Sequence, residues 1–204
     1  MRLPDSAHTT QPWRIHELTP DFRLEDVWAL PTPGGSDEFS ELVRQFAMGD
    51  PARQLPGIAR TLWNLRFKVG EMLGWDDSKT GVGSSVHRSL RERLPADLRE
   101  GPSGPVFDRL PFTSLYLLPN EFAAEIANAT MHGVLHLGWV PDDLGGYRGQ
   151  MAVLVKPGGV LGSAYMAAIK PFRYLVVYPA AMRQIERTWR SRSARRPPRV
   201  STRS

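Results

Sequence analysis

The chain has 204 residues, 41% of them hydrophobic, a formal net charge of +5 and no cysteine. That length supports one well-cored domain, and the lack of cysteine excludes disulfides, thiolate-held zinc and a cysteine nucleophile. The excess charge is local: Arg190, Arg192, Arg195, Arg196, Arg199 and Arg203 fall within residues 190–204 with no acid among them, so residues 191–204 read as a basic, solvated tail, and the near-neutral body argues against a nucleic-acid partner.

No run approaches the roughly 18 apolar residues of a membrane helix. The polar start, with Asp5, His8 and Gln11, lacks a secretory core, so a cytoplasmic location is expected. Residues 1–20, punctuated by Pro4, Pro12 and Pro20, read as an extended leader packing by Trp13 and Ile15 at most, and residues 21–190 as the domain. Phe22 to Leu30 alternates with period two, a half-buried first strand whose apolar face is marred by Asp26. The turn Pro31-Thr32-Pro33-Gly34-Gly35 ends it.

Ser36 with Asp37 and Glu38 then opens a helix whose apolar stripe is Phe39, Leu42, Val43 and Phe46, stopping near Gly49. A second helix is predicted from Pro56 through Ile58, Leu62, Leu65 and Val69 to Leu73. Gly81-Val82-Gly83-Ser84-Ser85 lacks both a preceding strand and a Gly-Lys-Ser/Thr ending, so it predicts a plain loop and no nucleotide. A short helix over Val86 to Leu94 and a proline-bounded loop over Gly101 to Pro111 follow.

From Phe112 the pattern turns to strands: Phe112 to Leu118, Glu121 to Asn128, Thr130 to Val140 and Tyr147 to Lys156, joined by turns at Pro119-Asn120 and Pro141 to Gly146. Asp142 and Asp143 do not have the spacing of a calcium loop, and no Gly-x-Ser-x-Gly elbow occurs. Beyond Gly162, composition alone favours a strand at Tyr174 to Tyr178. Against it, Phe172, Val176, Pro179, Met182, Ile185 and Trp189 step by three or four, a helical stripe that Pro171 and Pro179 kink or restart.

The run Asn128-Ala-Thr-Met-His132-Gly-Val-Leu-His136-Leu-Gly-Trp139, with Met151 to Val155 and Gly162-Ser-Ala-Tyr165-Met-Ala-Ala-Ile169-Lys-Pro171-Phe172-Arg-Tyr174, resembles a bacterial family known as a domain of unknown function. Its Gly-x-x-Tyr-x-x-x-Ile-x-Pro-Phe element is similar to the entrance of the C-terminal helix in START-like, helix-grip proteins, which include lipid-transfer domains and polyketide cyclases. The resemblance implies an α+β fold: a curved antiparallel sheet gripping a long, proline-kinked C-terminal helix, with two helices after the first strand and an apolar ligand cavity between sheet and helix. It implies no particular reaction.

His132 and His136 are the leading catalytic candidates. On one strand they share a face about 13 Å apart at roughly 3.3 Å per residue, too far for one metal, so no metal or other cofactor is expected; each suits proton transfer or a structural hydrogen bond. Glu121 and Glu125 share a face at the same spacing and pair with the histidines if the strands are neighbours. Tyr165 and Tyr174 are candidate phenols at a cavity wall. The expected apolar lining is Trp139, Met151, Val153, Phe172 and Val176, with Met182 and Trp189. The function this predicts is binding of a small apolar molecule; a cyclase- or isomerase-type enzyme, or an interaction protein with a filled core and a partner reading the arginine tail, are the alternatives.

Overall fold

The computed structural model describes residues 1–49, 88–128, 131–158 and 173–193. The predicted helix from Pro56 to Leu73, the glycine loop at 81–85, Tyr165, Phe172 and nearly all of the arginine tail lie outside them. The described elements are α1 (Ser6–Thr9), α2 (Ile15–Leu18), β1 (Arg23–Ala29), α3 (Phe39–Met48), a 3₁₀ turn (Leu90–Arg93), α4 (Ala96–Glu100), β2 (Thr113–Leu117), β3 (Glu121–Asn128), β4 (Met131–Pro141), β5 (Tyr147–Pro157), a π turn (Arg173–Val177) and α5 (Tyr178–Ser193).

The five strands form one antiparallel sheet in the order β1-β5-β4-β3-β2. The fold is thus mixed α+β with a C-terminal helix. Period-two alternation sends side chains to two faces, and both are covered. On one face Leu30, Phe122, Leu137, Trp139 and Met151 pack with Phe39, Leu42 and Val43 of α3 and with Tyr178 and Trp189 of α5. On the other, Val27, Ala123, Val134, Ala152 and Leu154 pack with Trp13, Ile15 and Leu18 from the N-terminal segment and with Leu90, Leu94 and Leu98.

The second layer corrects the expectation of an extended leader. Residues 1–20 contain two single-turn helices and bury His8, Trp13, Ile15 and Leu18. Single turns are too short to carry a hydrophobic period, and their stability comes from tertiary contacts instead of propensity. Trp13 lies against Gly138, where a Cβ would fall 2.7 Å from its ring. Gly138→Ala is therefore expected to lower unfolding free energy by roughly 1–3 kcal/mol through overpacking, read from the urea midpoint.

The chain also closes the two outer strands. The backbone of residues 1–3 pairs with β1, with Leu3 donating to Val27 and Ala29 to Met1. Along β2, Leu117 N–H donates to Pro102 O, Ser114 Oγ to Pro105 O and Arg91 Nε to Ser114 O.

α5 bears out the helical stripe over the strand-like composition. Pro179 has no N–H for the Leu175 carbonyl and its ring crowds that turn; the backbone takes a π turn over Arg173–Val177 and restarts as α-helix at Tyr178. Trp189 fixes the helix to the sheet: it is 2% exposed, its ring lies 6.0 Å from Trp139, and its Nε1 donates to Pro33 O. Arg192 stacks over the same ring and pairs with Glu38.

Candidate functional site

Two glutamates and two histidines dominate the face that carries the N-terminal segment. β3 and β4 are paired so that Glu121 lies opposite Gly138 and Glu125 opposite Val134. Each glutamate therefore meets a histidine on the diagonal: Glu125 Oε2 is 2.8 Å from His132 Nε2, and Glu121 Oε1 is 3.1 Å from His136 Nε2. The sequence spacing anticipates these pairs. What it hides is that each carboxylate also holds the start of a short helix.

Glu121 accepts from the backbone N–H groups of Arg14 and Ile15, at the start of α2, at 2.9 Å each, and from Tyr116 Oη at 2.6 Å. Glu125 accepts from Leu90 N–H at 3.0 Å and Ser89 Oγ at 2.5 Å, at the start of the 3₁₀ turn. The N–H groups of a first helical turn have no partner within the helix, and here a strand carboxylate supplies one. This satisfaction is why Glu121 and Glu125 tolerate exposures of 2% and 0%.

From His136 a hydrogen-bonded line runs back into the N-terminal segment. His136 Nδ1 lies 3.2 Å from His8 Nε2, and His8 Nδ1 lies 3.3 Å from His16 Nε2. The network assigns the tautomers: with Glu121 ionised, His136 donates through Nε2 to the carboxylate and accepts at Nδ1 from His8, which accepts at Nδ1 from His16. Burial first, then the neighbouring His136 and His16 rings, push His8 down to about 3. Burial and His136 lower His16 likewise.

Burial raises the Glu121 carboxyl, but the His136 and Tyr116 hydrogen bonds outweigh it and leave the group below its ordinary value. Burial, followed by the Glu121 charge, raises Tyr116. His8, His16 and Tyr116 were not among the sequence candidates, because only long-range chain closure brings them to Glu121. The three imidazoles form a line and do not converge on a point, and no group of three or more His, Asp or Glu side chains among the described residues could hold a metal ion.

A groove of about 510 Å³ opens where this layer ends, with Glu121 in its lining together with Gln11, Trp13, Asn120, Trp139 and Tyr147.

The opposite, helix-bearing face holds the other candidates. Trp139 and Met151 are buried there, and Val153 is half-buried. Asp26, which spoils the alternation of β1, is fully buried and accepts from the phenols of Tyr174 and Tyr178, the latter at 2.6 Å. Trp28 packs on Tyr178 at 4.7 Å between ring centroids. Tyr174 thus commits its one proton to Asp26. The sheet stands between it and both histidines, so a histidine base and Tyr174 do not meet in one pocket. Tyr165 and Phe172 fall outside the described residues, as does the side chain of Val176.

A family model described as protein of unknown function (DUF2867) matches residues 18–180. No curated protein and no solved structure matches the chain. No helix among the described residues is long and apolar enough to cross a membrane.

Proposed function

We propose, from the premise that the chain belongs to this DUF2867 family of proteins of unknown function, that it is a binding module holding a small, largely apolar molecule against the helix-bearing face of the sheet, in the manner of START-like proteins. One observation carries this reading. On a face where Phe122, Leu137, Trp139 and Met151 are buried, the neighbouring Ile126, Met131, Leu135 and Val153 stay half-buried. They are contiguous: Leu135 lies opposite Val153 on β5, and Gly133 opposite Ile126 on β3.

Gly133 lies between Ile126 and Met131, whose side chains stand 3.4 Å from where its Cβ would be, so the patch carries no side chain of its own at that point. Asp26, opposite Val153 on β1, closes one end with Tyr174 and Tyr178 as a polar corner. An apolar wall with few polar groups is the usual chemistry of a small-molecule site. The element order supports the same reading: a helix follows the first strand, a meander makes up the sheet, and a final helix lies on one face.

The groove beside Glu121 favours a second location for a ligand, its volume being within the range of small-molecule sites. Substitution separates the two. Native mass spectrometry after gentle purification, followed by extraction, is expected to yield an apolar molecule; Leu135→Trp or Val153→Trp is expected to reduce its occupancy at least tenfold, whereas Asn120→Trp leaves it unchanged. Loss through Asn120→Trp alone moves the site to the groove. No bound mass, with no thermal shift across a panel of apolar compounds, overturns the binding function.

A further inference from the structure

We propose that the line His16, His8, His136 and Glu121 is a proton-operated latch that holds residues 1–20 on the sheet at neutral pH and releases them in mild acid. The placement of the four groups carries it. His8 and His16 belong to the N-terminal segment, on α1 and α2, whereas His136 and Glu121 belong to β4 and β3. The His8–His136 contact at 3.2 Å and the Glu121 bonds to Arg14 and Ile15 N–H therefore join the segment to the sheet.

Each neutral imidazole in the line donates from one nitrogen and accepts at the other. The line can take one extra proton by shifting tautomers, because a protonated ring then donates to both its neighbours. A second proton sets two imidazolium charges side by side, the His8 ring lying 4.9 Å between centroids from both His16 and His136. With His8 at 1% and His136 at 0% exposure, no solvent reaches the rings to relieve that conflict. Release does relieve it, because a freed histidine is solvated and takes up its proton.

The other groups facing the line come from every neighbouring element. α2 contributes His16, and Arg14, whose guanidinium is held by Glu17 and Asp97. β2 contributes Tyr116 and β3 Glu121. β5 contributes the neutral Gln150, whose amide donates to Ala7 O. Among the described residues, Glu121 is the negative charge in contact with a ring of the line; it favours protonation of His8, but burial and the two neighbouring rings outweigh it.

The sign follows. The docked segment keeps His8 unprotonated down to about pH 3, while the released segment binds a proton below about 6.5. Release therefore takes up protons and becomes favoured as pH falls below about 6.5, until the docked form itself titrates.

Hydrogen–deuterium exchange of the full chain, corrected for intrinsic exchange rates, tests this. Between pH 7.5 and 5.5 the protection of residues 1–20 is expected to fall about tenfold for one freed histidine, with β4 and β5 unchanged. His8→Gln keeps an N–H donor for His136 but cannot take up a proton, and is expected to reduce the pH response about tenfold. His16→Gln, at the rim of the line, is the second variant and decides the matter where His8→Gln does not fold. Constant protection of residues 1–20, a loss shared equally by β4 and β5, or an undiminished response in the variants overturns the latch.

Discussion

Replacing Glu121 by alanine is expected to lower the unfolding free energy by about 3–5 kcal/mol, measured by urea denaturation at pH 7. The change strands four donors at once: the Arg14 and Ile15 N–H groups, Tyr116 Oη and His136 Nε2. Each buried donor left without an acceptor costs about 1–3 kcal/mol, and such costs within one network do not add fully. Glu121→Gln keeps one carbonyl oxygen and is expected to fall between wild type and alanine. A loss under about 1 kcal/mol for the alanine variant would mean that water reaches these donors and that the carboxylate is no hub. Against a typical total of about 5–15 kcal/mol, the expected loss removes a large part of the stability.

A loss of similar size, about 3–5 kcal/mol, is expected for Trp189→Ala. Here the cause is volume. The indole fills the space between α5 and the sheet, touches Trp139 and donates to Pro33 O, and Arg192 rests on its face. Truncation leaves a cavity and removes the platform for Arg192, so Trp189→Phe is expected to recover much of the loss and Trp189→Leu less. Equal destabilisation by all three would assign the effect to the Pro33 hydrogen bond, which none of them can make.

Much of the sheet was legible because its signal is local. β3, β4 and β5 keep a period of two over eight to eleven residues, and turn residues mark their ends. α3 and α5 were legible through their apolar stripes, and the two-part form of the C-terminal helix follows from Pro179 alone. The N-terminal segment was not legible. Its helices have four residues each, and what holds the start of the second is a carboxylate more than a hundred positions away in sequence. Asp26 shows a related limit. In the sequence it is a flaw in an apolar strand face, and only its partners Tyr174 and Tyr178, 148 and 152 positions away, make it a satisfied buried acid.

The candidate histidines were half legible. Shared-face spacing brought Glu121 and Glu125 to His136 and His132, but period two says only that residues share a face, never which layer covers it. The layer proved to be the N-terminal segment, so His8 and His16 joined the network unannounced.

The closure of the two outer strands has a consequence for how copies of this protein meet in concentrated solution. An open strand edge is a template: its unpaired N–H and C=O groups recruit another chain, and sheets then grow side by side into aggregates. Here the backbone of residues 1–3 occupies the exposed side of β1. The strip from Pro102 to Pro105 runs beside β2, offering carbonyls from residues that have no N–H of their own. A proline strip satisfies the strand it touches and gives a newcomer little to pair with. The same short segments that finish the sheet thus make it a poor seed for its own polymerisation.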